Sequence, residues 1–262
     1  MRIEKFDSLE STNKYCEALD LGQVEDFTCY WALEQTAGIG QRGNHWEAEP
    51  GKNLTFSLVL HPDFLPADRQ FRLTQALSLG LIDLIDSIET IDSIDTIKSI
   101  KSIKSIKSIS SIKWPNDIYV GGRKLCGTLI STRLSTLHSP LATLHSAVCG
   151  IGLNVNQTAF PDWVPNPTSL SLLTGRHYDL ESLLRQLLTC IEARYNSLKG
   201  GLDPTPEYLS RLLHLGVAAQ YVYNGEAVEA TITGIDPHGR LLLTAADGRR
   251  LSCGMKEISF LL

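Results

Sequence analysis

Lys113-Trp114-Pro115-Asn116-Asp117-Ile118-Tyr119-Val120-Gly121-Gly122-Arg123-Lys124-Leu125-Cys126-Gly127 is the stretch around which the rest of the chain is read. Gly121-Gly122 between two β-prone runs is a two-residue hairpin signal, because both turn residues need positive φ. That turn sets position 119 opposite 124 and position 117 opposite 126. Side chains alternate across a strand, so Asp117, Tyr119, Lys124 and Cys126 are expected on one face. Lys124 then lies diagonal to Asp117, roughly 7–8 Å away by sheet geometry. With Lys113 nearby, such a strand end has the charges to hold an anion and its metal. A hairpin edge studded with solvated charges accounts for the same residue types.

The chain has 262 residues, enough for one large core and a small satellite. Its formal net charge of -5 argues against a surface built for nucleic acid, which needs clustered cations. Met1 to Asp7 has early acids and no apolar core of a secretory signal, and no apolar run reaches membrane length. Six cysteines lie far apart without a Cys-x-x-Cys, which reads as reduced, mostly buried thiols in a cytoplasmic protein.

Ser11-Thr12-Asn13 precedes a short helical run, Lys14 to Leu21, and either Ser11 or Thr12 suits its N-cap. Thr28 to Leu33 reads as a strand leading to Gly38-Ile39-Gly40-Gln41-Arg42-Gly43, then Asn44-His45-Trp46. The glycine spacing matches the dinucleotide fingerprint, which requires a helix immediately afterwards. Here Pro50-Gly51 and a second strand, Asn53 to Leu60, follow instead, so a dinucleotide fold is rejected. What remains is a glycine turn whose amides and Arg42 suit a phosphate or carboxylate, or a plain hairpin loop.

Ala67 to Leu84 has helical spacing, and from Ile82 to Ile112 an isoleucine recurs at every third position. Three matches neither the 3.6 period of a helix nor the 2 of a strand, so no one face is served. The start is read as a helix end, the last residues as a strand entering Trp114, and about 86–111 as a low-complexity insertion. Lys113 falls in phase with the repeat's lysines. Leu125 to Arg133 and Ala147 to Asn156 read as strands. Ser135 to Ser146, with its doubled Thr-Leu-His-Ser, reads as a loop whose His138 and His145 are solvated rather than metal-bound. Asp179 to Lys199 is an amphipathic helix closed by Gly200-Gly201, and Pro204 to Leu215 a short helix and linker. From Gly216 short strands separated by Asn224-Gly225, His238-Gly239 and Asp247-Gly248 form a small all-β module.

The run Gln35 to Trp46, the Lys113 to Gly127 stretch and Gly150 to Asn156 occur in the order seen in biotin–protein ligases, which the chain resembles over nearly its whole length. The resemblance implies an α+β fold: a mixed β-sheet flanked by helices, of the class II synthetase-like biotin–lipoate ligase type, with a small C-terminal β-barrel-like domain. It implies a catalytic domain at 1–200, a linker at 201–215 and the β domain at 216–262. It implies ATP with Mg²⁺, biotin as substrate, and biotinyl-5′-AMP attacked by a lysine of a biotin carboxyl carrier domain. Both nucleophiles then belong to substrates, so no catalytic triad is needed.

By the same resemblance Ser11, Thr12, Gln35, Gly38, Gly40, Trp46, Lys124, Gly127 and Gly150 are expected to bind biotin. Gln41, Arg42, Gly43, Asn44, Trp46, Lys113, Asn116 and Asn154 are expected to bind ATP. Lys124, Lys113, Arg42 and Asp117 are the expected catalytic set, with Asp117 also the candidate Mg²⁺ ligand. Trp114 and Trp46 suit a core equally well, and Asn154 a strand end. The chain departs from the family pattern at Ile39 and Gln41, where ligases usually carry arginine, which predicts a looser hold on the adenylate. The motifs begin almost at Met1, so no helix-turn-helix and no repressor activity are expected. A lipoate–protein ligase or octanoyl transferase, and a biotin-binding regulator without turnover, are the alternatives. No nucleic acid and no membrane partner are expected, and a homodimer stays open.

Overall fold

The computed structural model describes residues 1–88, 110–135 and 142–261, and of Arg42 the backbone only. A seven-stranded mixed sheet in the order β1-β2-β3-β7-β6-β5-β4 forms its centre. Its strands are β1 (Arg2–Leu9), β2 (Thr28–Gln35), β3 (Leu54–Leu60), β4 (Ser110–Lys113), β5 (Asp117–Val120), β6 (Arg123–Ser135) and β7 (Thr143–Leu153). β1 runs parallel to β2, while every other pairing is antiparallel. β3 is buried along its whole length, as a strand covered on both faces must be.

The alternation of β3 and β7 separates two faces. Leu54, Phe56, Leu58 and Leu60 of β3, with Cys149, Ile151 and Leu153 of β7, enter the main core. There they meet α2 (Phe71–Ser87) and α4 (Leu180–Lys199), whose apolar stripes are buried. Arg194 of α4 bonds Asp83 of α2 through two nitrogens at 2.6 and 2.7 Å, and also Glu207 of α5 (Thr205–Ser210). On the other face lie Ser57, Val148, Gly150 and Gly152, beneath α1 (Thr12–Glu17) and the second, smaller core of Cys16, Leu21, Tyr30, Val59 and Val148. Small residues there leave room above the sheet. A short α3 (Leu170–Thr174) follows β7.

A second, five-stranded sheet has the order β11-β10-β9-β8-β12. It comprises β8 (Ala218–Tyr223), β9 (Glu226–Ile235), β10 (Leu241–Ala245), β11 (Arg250–Cys253) and β12 (Ile258–Phe260). Its buried residues Tyr221, Ile232, Leu241 and Leu243 belong to the same core as the large sheet. Trp114 Nε1 donates to the Gly239 carbonyl at 3.0 Å, and Tyr208 Oη to the Pro115 carbonyl at 2.8 Å. The fold class expected from the sequence is therefore the observed one.

Several local expectations are corrected. Gly121 and Gly122 do turn at φ 58° and 80°. Tyr119 does face Lys124, but a bulge then shifts the register so that Ile118, not Asp117, faces Cys126. Cys126 is consequently fully buried in the core and does not share the face of Asp117. The first helix ends at Glu17, and Leu21–Gln23 is a separate 3₁₀ turn. Thr143 to Ser146 belong to β7 rather than to a loop, with His145 exposed. The isoleucine repeat enters α2 at one end and β4 at the other, while 89–109 and the 136–141 segment with His138 lie outside the described residues.

Trp114 joins the hairpin stretch to the second sheet through one buried hydrogen bond. Trp114→Phe leaves the Gly239 carbonyl without its donor and opens a small void. Denaturant unfolding of this variant should show a loss of about 1–3 kcal/mol; an unchanged midpoint would show that this contact does not tie the two sheets.

Candidate active site

A cavity of about 640 Å³ opens on the small-residue face, walled by the glycine loop, the hairpin stretch, α1 and β12. Its floor is glycine because nothing larger fits. A Cβ on Gly150 would lie 1.9 Å from Asn13 Oδ1, and one on Gly152 would lie 2.2 Å from the Trp46 indole. At Gly127 a Cβ would meet Trp46 at 3.0 Å and Lys124 Nζ at 3.3 Å. Gly127 pairs with Gly152, and Leu129 with Gly150. Asn13 thus sits about 7 Å along the strand from the Lys124 level, a two-residue step.

One end of the cavity is polar and uncharged. Ser11 caps α1 by accepting from Lys14 N–H, which suits its N-cap reading, and its hydroxyl also lines the cavity. Gln35 Oε1 accepts from Thr12 N–H at 2.7 Å and lies 3.1 Å from Thr12 Oγ1. Ser11, Thr12 and Asn13 are all nearly fully buried.

The other end is cationic. Lys124 Nζ donates to Asp117 Oδ2 at 2.7 Å, closing the diagonal that strand geometry set. Both side chains remain partly exposed, so the pair is screened and serves geometry more than stability. The Lys124 ammonium also stands 5.9 Å from the centre of the Trp46 ring. The Lys124 backbone is gripped by the loop after β7: its N–H donates to Asn166 O at 2.7 Å, and its carbonyl accepts from Thr168 N–H at 2.9 Å. Lys113 Nζ lies 5.6 Å from the Tyr119 ring and 5.2 Å from the Phe260 ring. Burial and the charge of Asp117 push the Tyr119 phenol up to about 12, so it stays neutral.

The glycine loop is a narrow hairpin rather than a helix entry. Gly40 N–H donates to Asn44 O at 2.6 Å and Trp46 N–H to Gly38 O at 3.0 Å, with a 3₁₀ turn at Gln41–Gly43. Gln41 Nε2 donates to Asn116 Oδ1 at 2.8 Å, and Asn116 Nδ2 to the Thr128 carbonyl at 3.1 Å. This latch ties the glycine loop to the hairpin stretch.

Of the residues expected from the sequence, Ser11, Thr12, Gln35, Gly40, Gln41, Gly43, Asn44, Trp46, Lys113, Asp117, Lys124, Gly127, Gly150 and Asn154 all line this one cavity. Gly38 and Asn116 do not: the first is packed behind Trp46 and the second spends its amide on the latch. The side chain of Arg42 lies outside the described residues. Asn154 Nδ2 donates to Thr168 O at 3.0 Å, which supports the strand-end role, while its buried Oδ1 has no partner among the described residues. Asp117 is a lone candidate for metal, since no group of three or more His, Cys, Asp or Glu converges among the described residues. Asn13, Phe160, Trp163 and Phe260 also line the cavity without having been expected. Trp163 is 61% exposed, and an aromatic in a Pro-rich loop was the available sign. Phe260 had none, because only tertiary packing brings β12 there.

A family model described as the biotin/lipoate A/B protein ligase family matches residues 5–154, and a biotin protein ligase C terminal domain model matches residues 216–259. The bifunctional ligase/repressor BirA of Bacillus spizizenii is 30% identical over 249 residues, covering 92% of this chain and 69% of that protein. The biotin–[acetyl-CoA-carboxylase] ligase of Paracoccus denitrificans is 27% identical over 250 residues, 92% of this chain and 94% of that protein. In fold the chain is similar to the biotin protein ligase of Aquifex aeolicus in complex with biotin and ATP, with TM-score 0.74 at 22% identity, covering 99% and 98% of the two chains.

The glycine floor yields a direct test. Gly150→Ala and Gly152→Ala should each lower stability by about 1–3 kcal/mol in denaturant unfolding, because Asn13 or Trp46 must move. Gly152→Ala should also red-shift tryptophan emission as the Trp46 indole leaves its seat. Unchanged stability and emission would mean the floor tolerates a methyl group.

Proposed function

Because the chain belongs to the biotin/lipoate A/B protein ligase family, we propose that it is a biotin–protein ligase. It activates biotin with ATP to biotinyl-5′-AMP and passes biotin to a lysine of a carboxylase carrier domain. The observation that supports this most is the division of one cavity into a neutral hydrogen-bonding end, a glycine floor and a lysine end. An acid with an uncharged polar head group fits that order.

In the first step a biotin carboxylate oxygen attacks the α-phosphorus of ATP, and the bond to the bridging oxygen breaks to release diphosphate. In the second, the carrier amine attacks the acyl carbon, AMP leaves, and the amine gives up its proton. Lys124 would hold the carboxylate beside the α-phosphate and offset the charge that builds there, with Lys113 and Arg42 assisting. Asp117 orients Lys124. Ser11, Thr12 and Gln35 would take the head group over Gly150 and Gly127, and Gly40, Gln41, Gly43, Asn44, Trp46 and Asn154 the nucleotide side. Asn116 acts by latching Gln41. Asp117 would supply one carboxylate to a Mg²⁺ ion, which would offset phosphate charge while keeping most of its waters. We assign catalysis to 1–200, a linker to 201–215 and the β domain to 216–262, and place the enzyme in the cytoplasm, a setting that suits its free, mostly buried thiols.

Labelled biotin should appear on a carrier domain only when ATP is present. Incorporation of lipoate instead, or binding without transfer, would replace this reading with one of its two alternatives. Lys124→Gln should lower kcat/KM by about 100-fold or more; a rate within a few fold of the parent would remove Lys124 from the chemistry.

Gln41→Arg would put a cation where the latch now is. Release of free biotinyl-5′-AMP should slow by about tenfold, the worth of one charged hydrogen bond. An unchanged release rate would show that the neutral loop holds the adenylate as well as a charged one.

A further inference from the structure

Beneath the polar end, on β3, Ser57 is fully buried and forms no part of the cavity wall. Its Oγ lies 2.6 Å from Asn13 Oδ1 and 2.8 Å from Thr12 Oγ1. A hydroxyl has one proton, so it cannot donate to both. The Asn13 amide is oriented by its other end, where Nδ2 donates to the Leu129 carbonyl at 3.4 Å. Turning that amide over would set two oxygens against each other. Asn13 Oδ1 can only accept, so the Ser57 proton goes to it. The contact between the two hydroxyls must then carry the proton of Thr12. The Cys16 thiol stands beside the same hydroxyl and stays neutral, since burial pushes its pKa up to about 12.

This assignment has a consequence inside the cavity. Thr12 Oγ1 and Gln35 Oε1 stand 3.1 Å apart with no proton between them. Gln35 Oε1 is held in place by the Thr12 amide N–H at 2.7 Å, so it cannot turn its NH₂ inward there. The opposite assignment, with the Thr12 proton on Gln35 and the Ser57 proton still on Asn13, leaves the two hydroxyl oxygens 2.8 Å apart without a proton, a shorter bare contact and the costlier defect. Two convergent acceptors call for a donor from the ligand.

We propose that Ser57 is a positioning residue that sets Thr12 as an acceptor, so that this end of the cavity selects a ring N–H, as in a cyclic urea. Ser57 touches no ligand and acts through Thr12. The inference rests on the reading of the chain as a biotin–protein ligase and adds which residue sets its head-group specificity. Without the Ser57 hydroxyl, the Thr12 proton turns to Gln35 and the acceptor pair is lost.

The test is biotin binding by calorimetry together with steady-state kinetics of the full chain. Ser57→Ala should weaken biotin binding and raise its KM by about tenfold, with kcat and the KM for ATP within about twofold of the parent. In a Thr12→Val background, the same change should add less than about twofold, because its route to the ligand is already gone. Asn13→Ala, which frees the Ser57 proton to turn toward Thr12, should reproduce the loss and carries the test alone if Ser57→Ala does not fold. An equal effect of Ser57→Ala in both backgrounds, an equal rise in the KM for ATP, or no change in biotin binding would overturn the proposal while leaving the ligase reading intact. A parent protein that binds no biotin would overturn both.

Discussion

Three main-chain positions without side chains carry the site. Asn13, Trp46 and Lys124 come from three separate segments, yet Asn13 and Trp46 occupy the space a Cβ would take at Gly150 and Gly152, and Lys124 Nζ lies 3.3 Å from where one would stand at Gly127. The sheet presents a flat floor because β3 and β7 put Ser57, Gly150 and Gly152 on one face and their large apolar residues on the other. Close packing then makes that floor intolerant of a single methyl group. Asn13 and Trp46 are thus placed by contact with bare backbone.

The charges are arranged on the same floor. Lys124 is steadied from both sides, by Asp117 through an ion pair and by Trp46 through its ring. Its backbone is fixed by the loop following β7. An ammonium held this way loses little entropy when an anion arrives, which is the form of preorganisation that stabilises developing charge. The opposite end carries no formal charge and depends on hydrogen-bond direction, set by Ser57 from beneath.

The second sheet is part of the site rather than an appendage. It shares the main core, receives the Trp114 indole N–H, and sends β12 to the cavity wall, where Phe260 flanks Lys113. A module this small would be marginal alone, and its burial against the large sheet accounts for its order. The Gln41–Asn116 latch plays a comparable part between the glycine loop and the hairpin stretch.

Much of this was legible in the amino-acid sequence. Alternation and turn residues determined the strands, the Gly121-Gly122 hairpin and the amphipathic helix after Asp179, and the order of three motifs determined the family. Local pattern also placed Lys124 diagonal to Asp117, because that separation is a property of one hairpin. Tertiary structure alone decided the bulge that buries Cys126, since inserting one residue into a ladder depends on what packs against it. It alone decided that Asn116 serves the loop rather than the cavity, that Asn13 stands on Gly150, and that Phe260 reaches Lys113 from 147 residues away along the chain. Contacts between segments distant in sequence arise from the packing of whole faces, and no residue's neighbours in the chain encode them.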